Sequence, residues 1–365
     1  MAKKNRFAAR RRRLTRKFRR ARIDALLVTK PQNIFYLSGF RGDDSALLVG
    51  RSRTVLITDS RYAEEAESVL SGVQLMVRRR GLMQTAAGAA VKADAPRLGV
   101  EAAMMTLGEH EELLRWARKT EIAPTRGLVE ALRLRKDASE VAAIREAVRI
   151  AEAAFREVAA GLAPGQTEIE VARRLDGTMQ DMGAEAPAFQ TIVASGERSS
   201  LPHATPTTRR LRRGEPILFD WGARRRRYHS DLTRMVFWDR IPRFYKSVYS
   251  VVLEAQRRAL ARVKPGREAG KVDAAARAFL KAHRHGKHFG HGLGHGVGLE
   301  IHEGPTLAPS QDNPLRPGMV VTVEPGVYVP GSGGVRIEDL VLVTRTGRTT
   351  LTSLPKSQAA FVVQS

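Results

Sequence analysis

Cysteine is absent from the 365 residues of this chain. Disulfide bonds and thiolate metal sites are therefore excluded, and a bound metal would have to be held by carboxylate, imidazole or water. Long apolar runs are missing as well, since no stretch approaches the roughly 20 residues that a membrane-spanning helix needs. No apolar segment follows the basic N-terminus, as one would in a secretory signal. We therefore expect a cytoplasmic protein that has no membrane partner.

Acidic residues are scarce relative to basic ones, 38 against 62, which gives a formal charge of +24. About half of this excess lies in the first 23 residues, which contain twelve Lys and Arg and no acid. Residues 1–20 are predicted to form a basic amphipathic helix that packs on a strand at 25–29. Two other interpretations stay open, namely contact with RNA or another polyanion and an organelle-targeting peptide. The apolar side chains that recur here at helical spacing are Phe7, Leu14, Phe18, Ala21 and Ala25.

Chain length and composition, with 42% hydrophobic and 27% charged residues, are typical of a globular protein of two domains. Residues 1–128 are predicted to form an α/β domain, because short β-type runs alternate with helical segments. They contain no GxGxxG loop of the kind that binds nucleotides. Residues 129–365 begin with a helix whose capping box is Asp137 and Glu140. They continue mostly as strands, which predicts an α+β domain with an antiparallel sheet.

Asp220 and Asp231 lie on two β-type segments that are predicted to form a hairpin. If the turn is centred between Arg225 and Arg226, the two aspartates are directly opposite each other, with Cβ atoms about 4.5–5.5 Å apart. Carboxylates this close repel each other and are costly to bury, unless a cation lies between them. A solvent-facing hairpin with two unrelated aspartates explains the pair equally well at this point.

Three histidines fall within the glycine-rich run HFGHGLGHGVGLEIHE at residues 288–303, namely His291, His295 and His302. The glycines indicate close backbone approach rather than a stable helix. The run is not an HExxH zinc helix, because no Glu follows the first His. Histidines in such a loop can be turn residues or buried structural groups, but three of them in a His-poor chain favour a functional site.

Glu324 and Glu338 are carboxylates that interrupt apolar β-type runs. Arg336 lies on the same strand face as Glu338, where its guanidinium can hold a carboxylate or a substrate carbonyl. The other interpretation is the polar face of a strand, and we assign Asp339 either to that face or to the residues that surround the ligands. Four carboxylates and one imidazole suit Mn²⁺, Co²⁺, Fe²⁺ or Zn²⁺, and five such ligands suit two ions.

The order of these motifs resembles that of the pita-bread metallopeptidases. It comprises an Asp, a second Asp eleven residues later, a His in GHGxG, a Glu in EPG and a Glu in RIED. The upstream segments PQNIFYLSGF and LITDSRY are similar to the creatinase-type N-terminal domain of the aminopeptidase P and prolidase branch. This resemblance extends over nearly the whole chain, from about residue 14 to 363. One departure is the turn Arg224–Arg227, where relatives often carry a glycine.

The resemblance implies a pita-bread catalytic domain of the α+β class behind an α/β domain. It also implies hydrolysis of the bond between an N-terminal residue and a following proline, by an aminopeptidase or a dipeptidase. The cofactor would be two divalent metal ions, Mn²⁺ being expected first and Co²⁺, Zn²⁺ or Fe²⁺ being alternatives. The partners would be a peptide with proline at its second position and a second copy of the chain in a homodimer. The implied metal ligands are Asp220, Asp231, His295, Glu324 and Glu338.

The resemblance also assigns roles to the other polar residues of the site. His291 and His302 would position the peptide and stabilise charge at the scissile carbonyl. His203 would transfer a proton or contact the proline, and Arg336 would support the ligand beside it in RIED. Glu324 would be the acid/base that handles the proton of the attacking water. The bound ions would lower the pKa of that water from about 15.7 toward 7 and polarise the carbonyl.

Other functions of the same fold remain as alternatives. A catalytically silent pita-bread protein would use its basic surface to bind RNA or ribosomes. Such relatives usually lack metal ligands, whereas here none of the five is missing. The N-terminal domain argues against a methionine aminopeptidase, and the full ligand set argues against a creatine-type amidinohydrolase, which uses no metal.

Overall fold

The computed structural model describes residues 2–363, and the chain divides into two compact units between Arg133 and Leu134. The strands of the first unit are β1 Ala25–Val28, β2 Ala46–Gly50, β3 Thr54–Thr58, β4 Gln74–Val77, β5 Arg97–Glu101 and β6 Glu121–Thr125. Its helices are α1 Ala2–Thr15, α2 Phe18–Ala21, α3 Pro31–Ser38, α4 Ala63–Val69, α5 Leu82–Lys92, α6 Leu107–Trp116 and α7 Glu130–Arg133.

The strands of this unit form one mixed sheet in the order β4-β3-β2-β1-β5-β6. The β2 strand pairs antiparallel with both β1 and β3, and the remaining neighbours are parallel. Alternating strands and helices of this kind are the α/β arrangement that the sequence predicts.

The arginine-rich N-terminus, predicted as one amphipathic helix over residues 1–20, forms the two helices α1 and α2, and α1 packs on α3 rather than on β1. The guanidinium of Arg10 lies 4.0 Å from the centre of the Tyr36 ring. Arg11 donates a hydrogen bond of 2.8 Å to the carbonyl oxygen of Leu37. Two of the arginines therefore have structural roles on α3. The predicted apolar stripe is buried at Phe7, Leu14 and Phe18.

The second unit contains four long helices, which are α8 Ala138–Ala160, α9 Glu168–Asp181, α10 Arg243–Arg262 and α11 Ala269–Ala282. Its first strands are β7 Ala186–Pro187, β8 Ile192–Ser195, β9 Pro216–Trp221, β10 Ala223–Arg225, β11 Tyr228–His229 and β12 Leu232–Trp238. The later strands are β13 Gly294–Gly296, β14 Glu303–Leu307, β15 Val320–Val323, β16 Gly326–Val329, β17 Gly333–Arg336, β18 Asp339–Val343, β19 Arg348–Thr350 and β20 Val362–Val363. None of the helices within residues 2–363 combines the length and apolar character that crossing a bilayer requires.

Two sheets of this unit provide the framework of the site, in the orders β20-β12-β9-β8 and β14-β13-β15-β18-β19. The α8 helix begins at the predicted capping box, in which Asp137 accepts from the backbone of Glu140. Phe155 of α8 stacks on Trp221 at 4.3 Å and meets the edge of Phe219 at 5.4 Å, both in β9. These contacts fix β9 against the helix, and with it the residues that β9 carries.

The hairpin that bears the two aspartates has a different register from the predicted one. Its turn consists of Arg226 and Arg227, with φ values of 50° and 66°. The turn centre is therefore one residue further along the chain, and Asp220 pairs with Thr233 rather than with Asp231. Asp231 follows β11 in a short irregular segment before β12. The two aspartates are diagonal neighbours.

Candidate metal centre

The five side chains predicted as metal ligands meet in the second unit. One carboxylate oxygen from each of Asp220, Asp231 and Glu338 lies within 4.8 Å of the other two. The Nε2 atom of His295 lies 3.5 Å from Asp231 Oδ2 and 3.3 Å from Glu324 Oε1. The five residues thus form two overlapping groups that share Asp231. This arrangement brings together donor atoms that suit a divalent cation.

Strand interruptions and close strand approach bring these side chains together. Glu324 follows the last residue of β15, and Glu338 lies between β17 and β18. His295 lies on β13 between Gly294 and Gly296, which pass very close to neighbouring backbone. A Cβ atom at Gly294 would be 2.2 Å from the carbonyl oxygen of Thr322, and one at Gly296 would be 2.0 Å from that of Gly304. Only glycine is compatible with this approach.

The electrostatics of the site show carboxylates that are held together against their mutual repulsion. Burial, followed by the charges of Glu338 and Asp220, raises the pKa of Asp231 well above its usual range. Burial and the charge of Glu324 do the same for the pKa of Glu338. For Glu324, burial acts to raise the pKa, but the hydrogen bond to His295 and the nearby positive charges outweigh it, and the pKa falls to about 2.

Two oxygens of this cluster have no partner among the described residues. They are Oδ1 of Asp220 and Oε1 of Glu338, both buried. A buried carboxylate oxygen without a hydrogen bond is costly, and such groups are normally paired or bound to a metal. A divalent cation would supply the missing partner and would offset the repulsion. The residues present therefore fit a metal centre, and oxygen donors with one imidazole suit a divalent ion of the first transition series.

Arg336 lies behind the cluster and is buried with it. It donates to Oδ2 of Asp220 at 2.5 Å, to the hydroxyl of Tyr328 at 2.9 Å and to Thr233 Oγ1 at 3.0 Å. The Thr233 hydroxyl in turn donates to Glu338 at 2.6 Å. Arg336 therefore holds Asp220 directly and reaches Glu338 only through Thr233. Its fixed geometry orients two of the candidate ligands.

The three other predicted histidines line a cavity of about 440 Å³ that opens onto the cluster. His203 is exposed. The ring of His302 lies 4.4 Å from the ring of His295. His291 is hydrogen-bonded through Nε2 to the hydroxyl of Tyr328 at 3.0 Å, and burial lowers the pKa of His291. The cavity is large enough for a short peptide.

An ion pair on α11 holds the loop that carries His291. Asp273 and Arg277 pair at 2.7 Å, and the aspartate is almost fully buried. Arg277 donates to the carbonyl oxygens of Phe289 at 3.1 Å and His291 at 2.8 Å. Asp273 accepts from the backbone N–H of Leu293 at 3.1 Å. The pair therefore fixes the backbone on both sides of His291.

Sequence reasoning did not identify Thr233, Tyr328, Asp273 or Arg277 as part of this network. Tyr328 lies two residues after the EPG motif, and the alternation of side chains along a strand places it on the same face as Gly326, which is a usable signal. Asp273 and Arg277 show only the four-residue spacing of an ordinary helical ion pair. Of the two assignments left open for Asp339, the polar strand face is wrong, because Asp339 is buried and paired with Arg234 at 2.9 Å.

Two family models match the chain. One is metallopeptidase family M24, over residues 142–345, and the other is the Creatinase/Prolidase N-terminal domain, over residues 10–135. The chain belongs to metallopeptidase family M24. The predicted family and the predicted fold class are thereby confirmed, whereas the assignment of individual residues as ligands or catalytic groups remains a prediction.

Named relatives of this M24 chain include several proline-specific peptidases. The Xaa-Pro dipeptidase of Pyrococcus horikoshii is 36% identical over 332 residues, which are 90% of this chain and 93% of that protein. A solved Xaa-Pro dipeptidase from Bacillus anthracis is 37% identical, with a TM-score of 0.95 over 98% of this chain and 100% of that one. The X-Pro aminopeptidase from Thermotoga maritima is 35% identical, with a TM-score of 0.88 over 96% and 100%.

Proposed function

We propose that this M24 chain hydrolyses the peptide bond between an N-terminal residue and a following proline. The observation that carries the proposal is the convergence of four carboxylates and one imidazole on one point, with buried oxygens of Asp220 and Glu338 left without a partner. The centre opens into a cavity of about 440 Å³. The names of its relatives supply the substrate class, since they include Xaa-Pro dipeptidases and an X-Pro aminopeptidase.

Two divalent ions would be held by Asp220, Asp231, His295, Glu324 and Glu338. When bound, such ions polarise a carbonyl and make a water a stronger nucleophile at neutral pH. Glu324 lies at the cavity wall beside His295, where its second oxygen can accept the proton of the attacking water. Arg336 is itself held by hydrogen bonds to Thr233, Pro202 and Tyr328. It therefore keeps Asp220, to which it also donates, in one orientation.

The histidines of the cavity would act on the substrate. His291 and His302 line its wall, where a donor can stabilise negative charge that develops on the scissile carbonyl oxygen. His203 is proposed to contact the proline side or to transfer a proton. Proline makes the scissile bond a tertiary amide without an N–H. A cavity that accepts a ring and offers no acceptor at that point selects for proline.

Finer features belong to the same proposal. Mn²⁺ is the first candidate for the native ion, and Co²⁺, Zn²⁺ or Fe²⁺ are alternatives. We infer a homodimer and a cytoplasmic location, and light scattering and cell fractionation test these two points. We assign catalysis to a domain of residues 129–365 and a non-catalytic role to a domain of residues 1–128.

The test uses full-length protein stripped of metal and then supplied with Mn²⁺, Co²⁺ or Zn²⁺. Xaa-Pro and Xaa-Pro-Yaa peptides are compared, and matched peptides with alanine in place of proline are the control. The proposal predicts cleavage of at least one proline series, no cleavage of the alanine series and no activity without metal. It is wrong if metal-loaded, folded protein cleaves neither proline series. The ratio of the two proline series decides between dipeptidase and aminopeptidase.

A further inference from the structure

A second cavity lies in the first unit, between α1 and the turn that joins β2 to β3. It has a volume of about 350 Å³. Its polar lining comes mainly from arginines and small hydroxyl residues. No acidic or aromatic side chain contributes to it among the described residues. We call it the arginine groove, and its polar residues include Arg11, Arg12, Thr15, Arg51, Ser52 and Arg53.

The arginine groove has a large excess of positive charge, of which the described residues neutralise only a small part. Arg12, Arg51 and Arg53 are all exposed. Within residues 2–363 neither Arg12 nor Arg53 forms an ion pair, and Arg51 approaches Asp24 only at 3.7 Å. Burial and the neighbouring charge of Arg12 lower the pKa of Arg11. An anion in the groove would relieve this repulsion between like charges.

The groove is held in shape by contacts within the folded unit. Leu14 and Phe18 are fully buried, and Phe7 is nearly so. Arg11 itself donates to the carbonyl oxygens of Ser71 and Gly72, at 2.8 and 3.1 Å, and Gly72 lines the groove. Removal of this segment would leave an apolar gap in the unit. The fold of the unit therefore holds the arginines of this segment in place.

The same burial distinguishes between two kinds of anionic partner. An amphipathic helix that binds a membrane inserts exposed apolar side chains between the lipids. Here Phe7 and Leu14 of α1 face the interior of the protein, and among residues 6–15 the exposed side chains are those of Arg12 and Arg13. Guanidinium groups bind phosphate oxygens through paired hydrogen bonds. Without an aromatic side chain in the groove, bases have no ring on which to stack.

We propose that the arginine groove binds the phosphodiester backbone of a nucleic acid, without preference for sequence. Arg12, Arg51 and Arg53 provide the exposed guanidinium groups, and Ser52 provides a hydroxyl donor to phosphate. The peptidase site is formed by other residues, so this binding is separate from the proposed hydrolysis. The proposal does not depend on that activity.

The test measures binding of the full-length protein to fluorescent single-stranded RNA and to DNA of the same sequence, each about 20 nucleotides long. Binding is followed by fluorescence anisotropy over a range of KCl concentrations. The groove variant is Arg12→Gln/Arg51→Gln/Arg53→Gln. The matched control is Arg115→Gln/Arg118→Gln/Lys119→Gln, which removes the same charge from exposed positions of the same unit. Vesicles of anionic and neutral phospholipid form a third arm. Thermal unfolding and Xaa-Pro hydrolysis are recorded for every variant.

The groove variant is expected to bind at least about tenfold more weakly than the wild type near 0.1 M salt, with a salt slope lower by about 2, since single strands contribute about 0.7 per neutralised phosphate. The control variant should stay within about threefold of the wild type. Unfolding and hydrolysis should be unchanged in both. The proposal would be overturned if the groove variant and the control variant lost affinity equally, or if the groove variant bound as tightly as the wild type. It would also be overturned if the protein bound anionic vesicles and no nucleic acid. Tighter binding of RNA or of DNA identifies the source of the phosphate.

Discussion

Replacing Asp231 with asparagine removes one negative charge from the buried cluster and barely changes the shape of the side chain. Asp231 is 5% exposed, and one of its oxygens lies within 4.8 Å of oxygens from Asp220 and Glu338. In metal-free protein this charge is repelled by its neighbours. We therefore expect Asp231→Asn to stabilise the metal-free protein, although most substitutions of buried residues destabilise.

The size of the effect follows from the burial of this charge. A buried polar group without an adequate partner costs about 1–3 kcal/mol, and a charged group costs more. Removing it should raise the free energy of unfolding by about 2 kcal/mol, which corresponds to about 4–8 °C in Tm for a folded unit of this size. With Mn²⁺ present, the wild type should become the more stable of the two proteins. Mn²⁺ at a concentration of about 100 times its Kd stabilises the intact site by about 2.7 kcal/mol, whereas the variant has lost a ligand.

The effect also has a defined pH dependence. Burial, with the charges of Glu338 and Asp220, raises the pKa of Asp231 above its ordinary value of 3.8. The folded wild type is stabilised by the protonated form of Asp231 below about pH 4. This contribution to the free energy of unfolding is lost as the pH rises through the raised pKa of Asp231. The difference in Tm between Asp231→Asn and wild type should therefore be small near pH 4 and should grow toward pH 8.

Differential scanning fluorimetry with and without Mn²⁺, at several pH values, measures these differences. Asp273→Asn is the matched control, because Asp273 is buried but paired with Arg277. Loss of that pair should destabilise the protein by about 3–5 kcal/mol with or without metal. The reasoning fails if Asp231→Asn lowers the Tm of metal-free protein as Asp273→Asn does, or if Mn²⁺ stabilises wild type and Asp231→Asn equally.

Three further predictions concern single contacts. Tyr328→Phe removes the hydroxyl between His291 and Arg336. This substitution should lower kcat on Xaa-Pro peptides about 10- to 100-fold with little change in Tm. An unchanged kcat would contradict this role. Arg277→Met frees the backbone around His291 and should lower kcat about tenfold or more, with partial recovery in Arg277→Lys as the sign of a positioning role. Leu14→Ala should destabilise the first unit by about 2–5 kcal/mol in urea unfolding, whereas the exposed control Arg13→Ala should stay within about 0.5 kcal/mol.

The candidate site was accessible from sequence because its residues lie in short motifs with a fixed order. Asp220, Asp231 and His295 each stand out chemically within apolar or glycine-rich surroundings. The register of the hairpin was not accessible. Its turn uses Arg226 and Arg227 with positive φ, where Gly or Asn normally marks such a turn. A run of four arginines gives no signal for the turn centre.

Contacts between distant elements were the second limit. Periodicity identified Leu14 and Phe18 as buried, but it does not state which element covers them, and α1 packs on α3 instead of β1. The ion pair of Asp273 and Arg277 has the spacing of any surface pair on a helix. Its role depends on the loop before β13 returning to α11, which the local sequence does not encode.

The most direct test of the account is a titration of metal-free protein with Mn²⁺ in which bound metal and Xaa-Pro hydrolysis are measured on the same samples. The account predicts two bound ions per chain, activity that rises from zero as they bind, and loss of both in Asp231→Asn. Full activity in protein that contains no metal would contradict it. So would an Asp231→Asn variant that binds two ions as tightly as the wild type and cleaves at the same rate.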